Sequence, residues 1–147
     1  MYYMKIAIVG LGFVGGAMYK SFTEKKIIIK CYDKYKNIGT LEDCLNCDIM
    51  FLCLPTQYND MNKTYDLQPI HDTCILLTNL KYNGIIVLKS TILPNTTNDL
   101  SSLYTKLKII HNPEFLTAKT AYEDFHNQKH IVLGNSLNSD CLLVEQF

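Results

Sequence analysis

The chain contains no arginine; all 14 of its basic residues are lysine. It therefore has no guanidinium fork to grip a phosphate or carboxylate through paired hydrogen bonds. An excess of either charge is missing too, because 14 acidic residues balance the lysines. That removes the electrostatic case for a nucleic-acid or membrane partner. Long apolar runs are absent: the longest are strand length, and none reads as a membrane span or a signal peptide. Internal repeats and low-complexity tracts are lacking. Six cysteines without an export signal point to a reducing compartment, so a cytoplasmic location is expected.

What is present is a chain of 147 residues, 48% hydrophobic, enough for one domain with a substantial core. Strand-like runs at 5–9, 27–32, 49–54, 85–89, 108–111 and 130–133 alternate with helix-like stretches at 13–25, 41–46, 67–81, 96–105 and 117–124. The runs are almost continuously Ile, Val and Leu, as in strands covered on both faces. This predicts an α/β domain of doubly wound, Rossmann type. Its mainly parallel sheet has six strands in the order 3-2-1-4-5-6, with helices on both faces. Asp66 is the expected N-cap of the third helix, and Asn83-Gly84 its end. The polar segment Thr56–Tyr65 reads as a loop. The domain is expected to span 1–134. Residues 135–147 then form a linker and the start of a truncated following segment.

Gly10-Leu11-Gly12-Phe13-Val14-Gly15 follows the first strand and opens the first helix. Gly10 permits a tight turn, Gly12 lets backbone approach a pyrophosphate, and Gly15 lets helix pack on strand. The helix N-terminus offers N–H groups and partial positive charge to phosphates. The second run ends in Tyr32-Asp33, at the right distance for an acid that accepts ribose hydroxyls. A carboxylate there disfavours a ribose phosphate, so NAD is expected over NADP.

Three further segments follow strands: Leu54-Pro55-Thr56, Lys89-Ser90-Thr91, and His111-Asn112-Pro113-Glu114-Phe115-Leu116. In a doubly wound sheet these carboxyl ends face one crevice. Ser90 and Thr91 would project towards the nicotinamide half, and Glu114 would sit on a Pro-stiffened turn beside it.

With the later Pro94-Asn95-Thr96-Thr97, these blocks resemble the UDP-glucose 6-dehydrogenase and GDP-mannose dehydrogenase family of nucleotide-sugar dehydrogenases. The resemblance runs from Lys5 to about Gly134. It implies that Gly10, Leu11, Gly12, Phe13, Val14 and Gly15 hold the NAD pyrophosphate. Asp33 and Lys34 would meet the adenosine ribose. Leu54, Pro55 and Thr56 would line the adenosine side, and Ser90 and Thr91 the nicotinamide side. Glu114, Phe115, Leu116 and Thr117 would meet the nucleotide sugar, with Thr91 and Glu114 as the catalytic pair. The family oxidises a primary alcohol to a carboxylate with two NAD molecules, through a cysteine-bound thiohemiacetal and thioester.

Simpler roles compete. Thr91 could cap the next helix, Glu114 could be a turn acid, and Phe115 and Leu116 could be core residues. His111 reads as satisfied at a strand end. His71, His126 and His130 carry no pattern. Cys44-Leu45-Asn46-Cys47 has a metal or redox spacing, but no second pair accompanies it. Thr40-Leu41-Glu42-Asp43 before it reads as a helix start, so a packing role is expected and no metal site.

Departures from the family pattern are specific. The family's Glu-Gly after the Pro-stiffened turn is replaced by Ala118-Lys119. The connection from Asp33 to the third strand is short, so a helix there is lost or reduced. The Gly-rich motif carrying the nucleophilic cysteine has no match; Cys141 lies in a different context. The expected function is therefore the NAD-binding domain of a nucleotide-sugar 6-dehydrogenase, incomplete for catalysis alone. It would work with a C-terminal domain or a complementing chain. The alternatives are a non-catalytic NAD- or partner-binding module derived from that family, and a dehydrogenase of the 3-hydroxyacid type.

Overall fold

Ile6–Val9, Ile49–Leu52 and Ile85–Leu88 are apolar at every position, so each strand must be covered on both faces. The computed structural model describes residues 4–139 and 141–147 and shows how that is done. These stretches form β1 (Ile6–Val9), β3 (Ile49–Leu52) and β6 (Ile85–Leu88). With β2 (Ile29–Tyr32) and β7 (Lys108–His111) they make a parallel five-stranded sheet in the order β2-β1-β3-β6-β7. A small antiparallel hairpin pairs β4 (Tyr58–Asn59) with β5 (Thr64–Tyr65). The helices are α1 (Phe13–Glu24), α2 (Gln68–Asn79), α3 (Thr96–Leu103), α4 (Ala121–His126) and α5 (Leu142–Glu145), with a 3-10 turn at Glu42–Cys44.

Successive strand residues point to opposite faces, and the core divides accordingly. Ile8, Phe51, Val87 and Ile110 pack against Met18 and Phe22 of α1 and Phe125 of α4. Val9, Leu52, Leu88 and Ile109 pack against Ile70 and Leu77 of α2, Leu100 of α3, and Cys44. Each fully buried Ile or Leu contributes about 1.5–3 kcal/mol. Helices on both faces of a parallel sheet make the α/β, doubly wound class.

Strand count and order differ from expectation. The order 3-2-1-4-5-6 needs a strand beyond β2. The Asp33–Asp48 connection instead holds a turn bridged between Asp33 and Ile38 and the 3-10 turn. The chain then passes to the other side of β1, where Ile6 to Val9 pair with Ile49 to Leu52. The strand expected at 130–133 does not form. Only Gly134 bridges His111, while Ile131 and Val132 stay 63% and 48% exposed with no layer to cover them.

Local signals also moved. The expected loop 56–65 is the β4–β5 hairpin, closed by Tyr58 and Tyr65 with ring centroids 5.2 Å apart. The helix expected at 117–124 begins at Ala121, because Asp124 first satisfies Thr117 N–H and the Thr120 hydroxyl. Asp66 accepts the Gln68 N–H at 2.9 Å, but the N-cap position of α2 is Leu67. That helix ends at Asn79, and Lys81, not Asn83-Gly84, takes the left-handed turn (φ 56). Gly84 serves close packing: a Cβ there would lie 2.6 Å from the Cys47 carbonyl oxygen. Thr40 and Asp43 make the reciprocal capping bonds expected of a helix start, although only the 3-10 turn follows. Near the end of the chain Cys141 is 5% exposed, and Phe147 packs edge-on against Phe22 at 5.3 Å. Residues 1–3 of the expected domain and Asp140 of the expected linker lie outside the described residues.

Candidate functional site

From β1 the chain moves to β2 on one side and, later, to β3 on the other. Such a switch point opens a crevice at the carboxyl ends of the strands. A cleft of about 750 Å³ lies there, within the ~300–1,000 Å³ common for cofactor sites. It gathers the glycine loop, Asp33, Leu54-Pro55-Thr56, Lys89-Ser90-Thr91 and Glu114 from separate parts of the sequence.

The three fingerprint glycines have different local reasons. Gly10 has φ 90, and a Cβ on it would lie 2.4 Å from the Cys53 carbonyl oxygen. A Cβ on Gly15 would lie 1.9 Å from the Gly10 carbonyl oxygen, so α1 packs here only with glycine. At Gly12 a Cβ would meet nothing within 4 Å; this glycine borders open cleft. Gly12 is also the N-cap of α1 and makes no side-chain cap bond. The first-turn N–H groups are thus not capped by a side chain at Gly12, and they lie at the positive end of the helix. Leu11 is buried in the core, while Phe13 is 73% exposed at the cleft.

Asp33 is 8% exposed and holds two loops together. Its Oδ2 accepts the Leu11 N–H at 2.7 Å, and its Oδ1 accepts the Tyr35 and Lys36 N–H groups, both at 2.9 Å. The Lys36 ammonium donates to the Leu11 carbonyl. Burial opposes ionisation of Asp33, but the three N–H donors and the Lys36 charge prevail and hold it below the usual carboxylate range. A carboxylate has about four acceptor positions, so one remains for a hydroxyl at the cleft. Lys34 also lines the cleft.

On the far side the strand ends are tied to one another. Ser90 is buried; its Oγ donates to the Leu54 carbonyl at 2.7 Å and accepts the Leu54 N–H at 3.2 Å. The Thr56 hydroxyl donates to the Thr91 carbonyl at 2.7 Å. The Thr91 side chain is exposed at the cleft and does not cap α3, whose N-cap is Asn95. Glu114 is half-buried at the cleft, with Oε2 accepting the Leu116 N–H at 2.6 Å. Phe115 is 75% exposed, Leu116 packs against the core, and Thr117 is exposed. Ala118 and Lys119 are exposed on the same turn. His111 is held below its usual range by burial and by Lys89, and its buried Nε2 has no hydrogen-bond partner, so it is not fully satisfied at the strand end as expected.

Sequence reasoning missed two features. Lys89, 3% exposed, donates to Asn112 Oδ1 at 2.9 Å at the edge of the cleft; the signal was a lysine ending an all-apolar strand. Pro69, Asp72, Thr73 and Leu76 of α2 form a cleft wall, which the helical pattern alone could not aim. Elsewhere His71 bonds Tyr104 (2.9 Å) and His126 bonds Ser21 (3.0 Å). Burial pushes the Cys44 and Cys53 thiols up to about 12 and also raises Cys47. Among the described residues no cluster of three His, Cys, Asp or Glu is placed to hold a metal ion, and no helix is long and apolar enough to cross a membrane.

Comparison with known proteins decides the family. The model of the UDP-glucose/GDP-mannose dehydrogenase family, NAD binding domain, matches residues 36–146. The chain belongs to this family. NAD is accordingly its cofactor, and the matched part is the family's NAD-binding domain. The UDP-glucose 6-dehydrogenase of Rickettsia typhi is 32% identical over 117 residues, which is 75% of this chain and 26% of that protein. The chain thus spans about a quarter of the length of that relative. GDP-mannose dehydrogenase from Pseudomonas aeruginosa, solved as a ternary complex, has the same fold: TM-score 0.72, 21% identity, 90% of this chain and 41% of that one. The NDP-N-acetyl-D-galactosaminuronic acid dehydrogenase of Methanosarcina mazei does too, at TM-score 0.70 and 16% identity over 90% of this chain and 39% of that one. The family match begins after the glycine loop and β2, so for those residues the geometry carries the argument.

Proposed function

We propose that this cleft is the cofactor half of a nucleotide-sugar 6-dehydrogenase, acting in the cytoplasm. The observation that carries the reading is the meeting of five separated segments at one switch-point crevice. The pyrophosphate would lie over Gly12, where backbone approach is free, and against the N–H groups that begin α1. Asp33 would accept a ribose hydroxyl with its remaining lone pair, and Lys34 would flank it. Leu54-Pro55-Thr56 would wall the adenosine side. Ser90 would act through the backbone it ties, while the Thr91 hydroxyl faces the reacting end. Bound NAD supplies the hydride acceptor.

Glu114 would receive a hydrogen bond from the sugar or from an ordered water, with Phe115, Leu116 and Thr117 bordering the sugar. The substrate class is a nucleotide sugar carrying a primary alcohol. A C-terminal domain or a complementing chain would complete the site. Full oxidation needs an ionisable cysteine at the sugar end. Cys53 borders the cleft, but its thiol is pushed up to about 12.

Calorimetry with NAD and NADP tests the cofactor reading, and NADH formation with UDP-glucose tests the rest. NAD should bind in preference to NADP, and these 147 residues alone should give no sustained NADH. Equal binding of NADP would refute the role of Asp33. Two NADH per sugar would refute the need for a further segment.

A further inference from the structure

Lys36 holds a peptide of the glycine loop from outside that loop. It sits on the turn after β2, its ammonium donates to the Leu11 carbonyl, and it lines the same cleft as Gly12. Neighbouring backbone groups of the loop have other partners. Gly10 N–H donates to the Tyr32 carbonyl at 2.8 Å, Leu11 N–H donates to Asp33 Oδ2 at 2.7 Å, and the Gly12 carbonyl accepts the Gly16 N–H at 2.8 Å. The Leu11 side chain is buried in the core. Leu11 is thus fixed on its amino side, and the peptide that joins it to Gly12 is what can still turn.

Packing does not stop that rotation. A Cβ on Gly12 would meet nothing within 4 Å, and glycine leaves the backbone its widest freedom. The Leu11–Gly12 peptide is trans, so its C=O and N–H point in opposite directions. A group that fixes the Leu11 carbonyl therefore fixes the direction of Gly12 N–H as well. The ammonium is suited to this, because a hydrogen bond from a charged donor is about twice as strong as a neutral one. The turn that carries it is itself anchored: Asp33 Oδ1 accepts the Tyr35 and Lys36 N–H groups, both at 2.9 Å. One turn thus grips Leu11 on both sides, by Asp33 at the N–H and by Lys36 at the carbonyl.

Resting on the reading that lays the pyrophosphate over Gly12, we propose that Lys36 is a positioning residue of the cofactor loop: by holding the Leu11 carbonyl, its ammonium keeps Gly12 N–H aimed for the pyrophosphate. A donor already aimed spares the ligand the cost of ordering it. Lys36 acts here through the backbone of the loop, whereas Asp33 and Lys34 would meet the ribose with their own side chains.

The test compares wild type, Lys36→Met and Lys36→Arg as whole chains. Lys36 is exposed on its turn, and Met removes the charge and the donors while keeping an unbranched side chain. Without ligand, nitrogen NMR should show the Gly12 amide resonance displaced in Lys36→Met and that of Leu11, still held by Asp33, near its wild-type position. Calorimetry should show NAD bound about tenfold more weakly, the effect of losing one hydrogen bond to a charged group. Lys36→Arg, which keeps charged donors, should restore both readouts. A lysine that only touched the bound phosphate would leave the ligand-free Gly12 resonance unmoved. That result, or unchanged NAD affinity in folded Lys36→Met, overturns the proposal. If Lys36→Met does not fold, Lys36→Gln, with a shorter and neutral donor, is judged by the same two readouts. Failure of wild type to bind NAD counts against the cleft reading, and the ligand-free resonances still report whether Lys36 holds the loop.

Discussion

Gly12 and Gly15 stand three residues apart in one motif, and the structure predicts opposite consequences for changing them. At Gly12 the backbone has φ −70, which any residue adopts, and an added Cβ meets nothing within 4 Å. Gly12→Val should therefore change stability by no more than about 0.5 kcal/mol, as at an unobstructed surface site. At Gly15 an added Cβ would sit 1.9 Å from the Gly10 carbonyl oxygen. Backbone must move, and overpacking of this kind costs about 1–3 kcal/mol. For a domain of this size Gly15→Ala should lower Tm by about 3–10 °C.

Ligand reverses the ranking. At a hundredfold excess over Kd, NAD should stabilise wild type by about 2.7 kcal/mol, a rise in Tm of about 5–10 °C. In Gly12→Val that rise should vanish, because the side chain fills the volume meant for the pyrophosphate. Thermal melts of the three proteins with and without NAD, supported by calorimetry, give all the quantities. A Gly12→Val protein that binds NAD like wild type refutes the assignment of this loop. A Gly15→Ala protein as stable as wild type refutes the packing argument.

Other outcomes follow from the same geometry. Asp33→Asn should lose discrimination against NADP and also lower stability by about 1–3 kcal/mol, since one oxygen of three-way backbone acceptance becomes a donor; urea melts and calorimetry measure the two effects. The stability due to Asp33, whose ionisation is favoured in the folded state, should be complete above about pH 4 and be lost as pH falls through its depressed folded value. Thr91→Ala and Glu114→Gln, placed in a longer natural form or paired with a complementing chain, should reduce turnover more than NAD affinity; loss of NAD binding first would move both to the cofactor site. Cys44 and Cys74 are 0% and 1% exposed, and burial pushes both thiols up to about 12. In the unfolded chain they ionise from about pH 8.5, so by pH 10 each should remove up to about 2 kcal/mol of stability, a fall partly offset by Lys89, whose depressed folded value works the other way. Urea midpoints from pH 7 to 10 that stay flat would contradict this.

The sequence exposed the parts governed by short-range rules. The all-apolar tetrapeptides marked the inner strands, and the Gly10–Gly15 spacing with Asp33 marked the crevice before any geometry was known. Strand order was less legible, because it depends on where a chain goes after a turn and not on any residue in it. Nothing in Lys34–Asp48 announces that β3 will pair with β1 instead of extending the sheet past β2. Ile131 and Val132 have strand composition, yet they lack a helix to cover them, and composition cannot count helices. Ser90 looked like a group aimed at a ligand; its hydroxyl is spent on both backbone groups of Leu54, a partner 36 residues away. Lys89 and Asn112 were invisible for the same reason: their meaning lies in a contact between neighbouring strand ends.

The double duty of Asp33 bears on how this chain can change over evolutionary time. The carboxylate that would choose between cofactors also fastens the glycine loop to the Tyr35-Lys36 turn. A mutation that relaxes the choice loosens the fastening in the same step. A drift towards the phosphorylated cofactor therefore cannot proceed one neutral substitution at a time. It needs a new anchor for Leu11 before the old one is given up, so the path passes through a second site. If Asp33 sets the cofactor preference, the loss of stability would protect that preference, and a lineage would keep it even under weak selection on the chemistry itself.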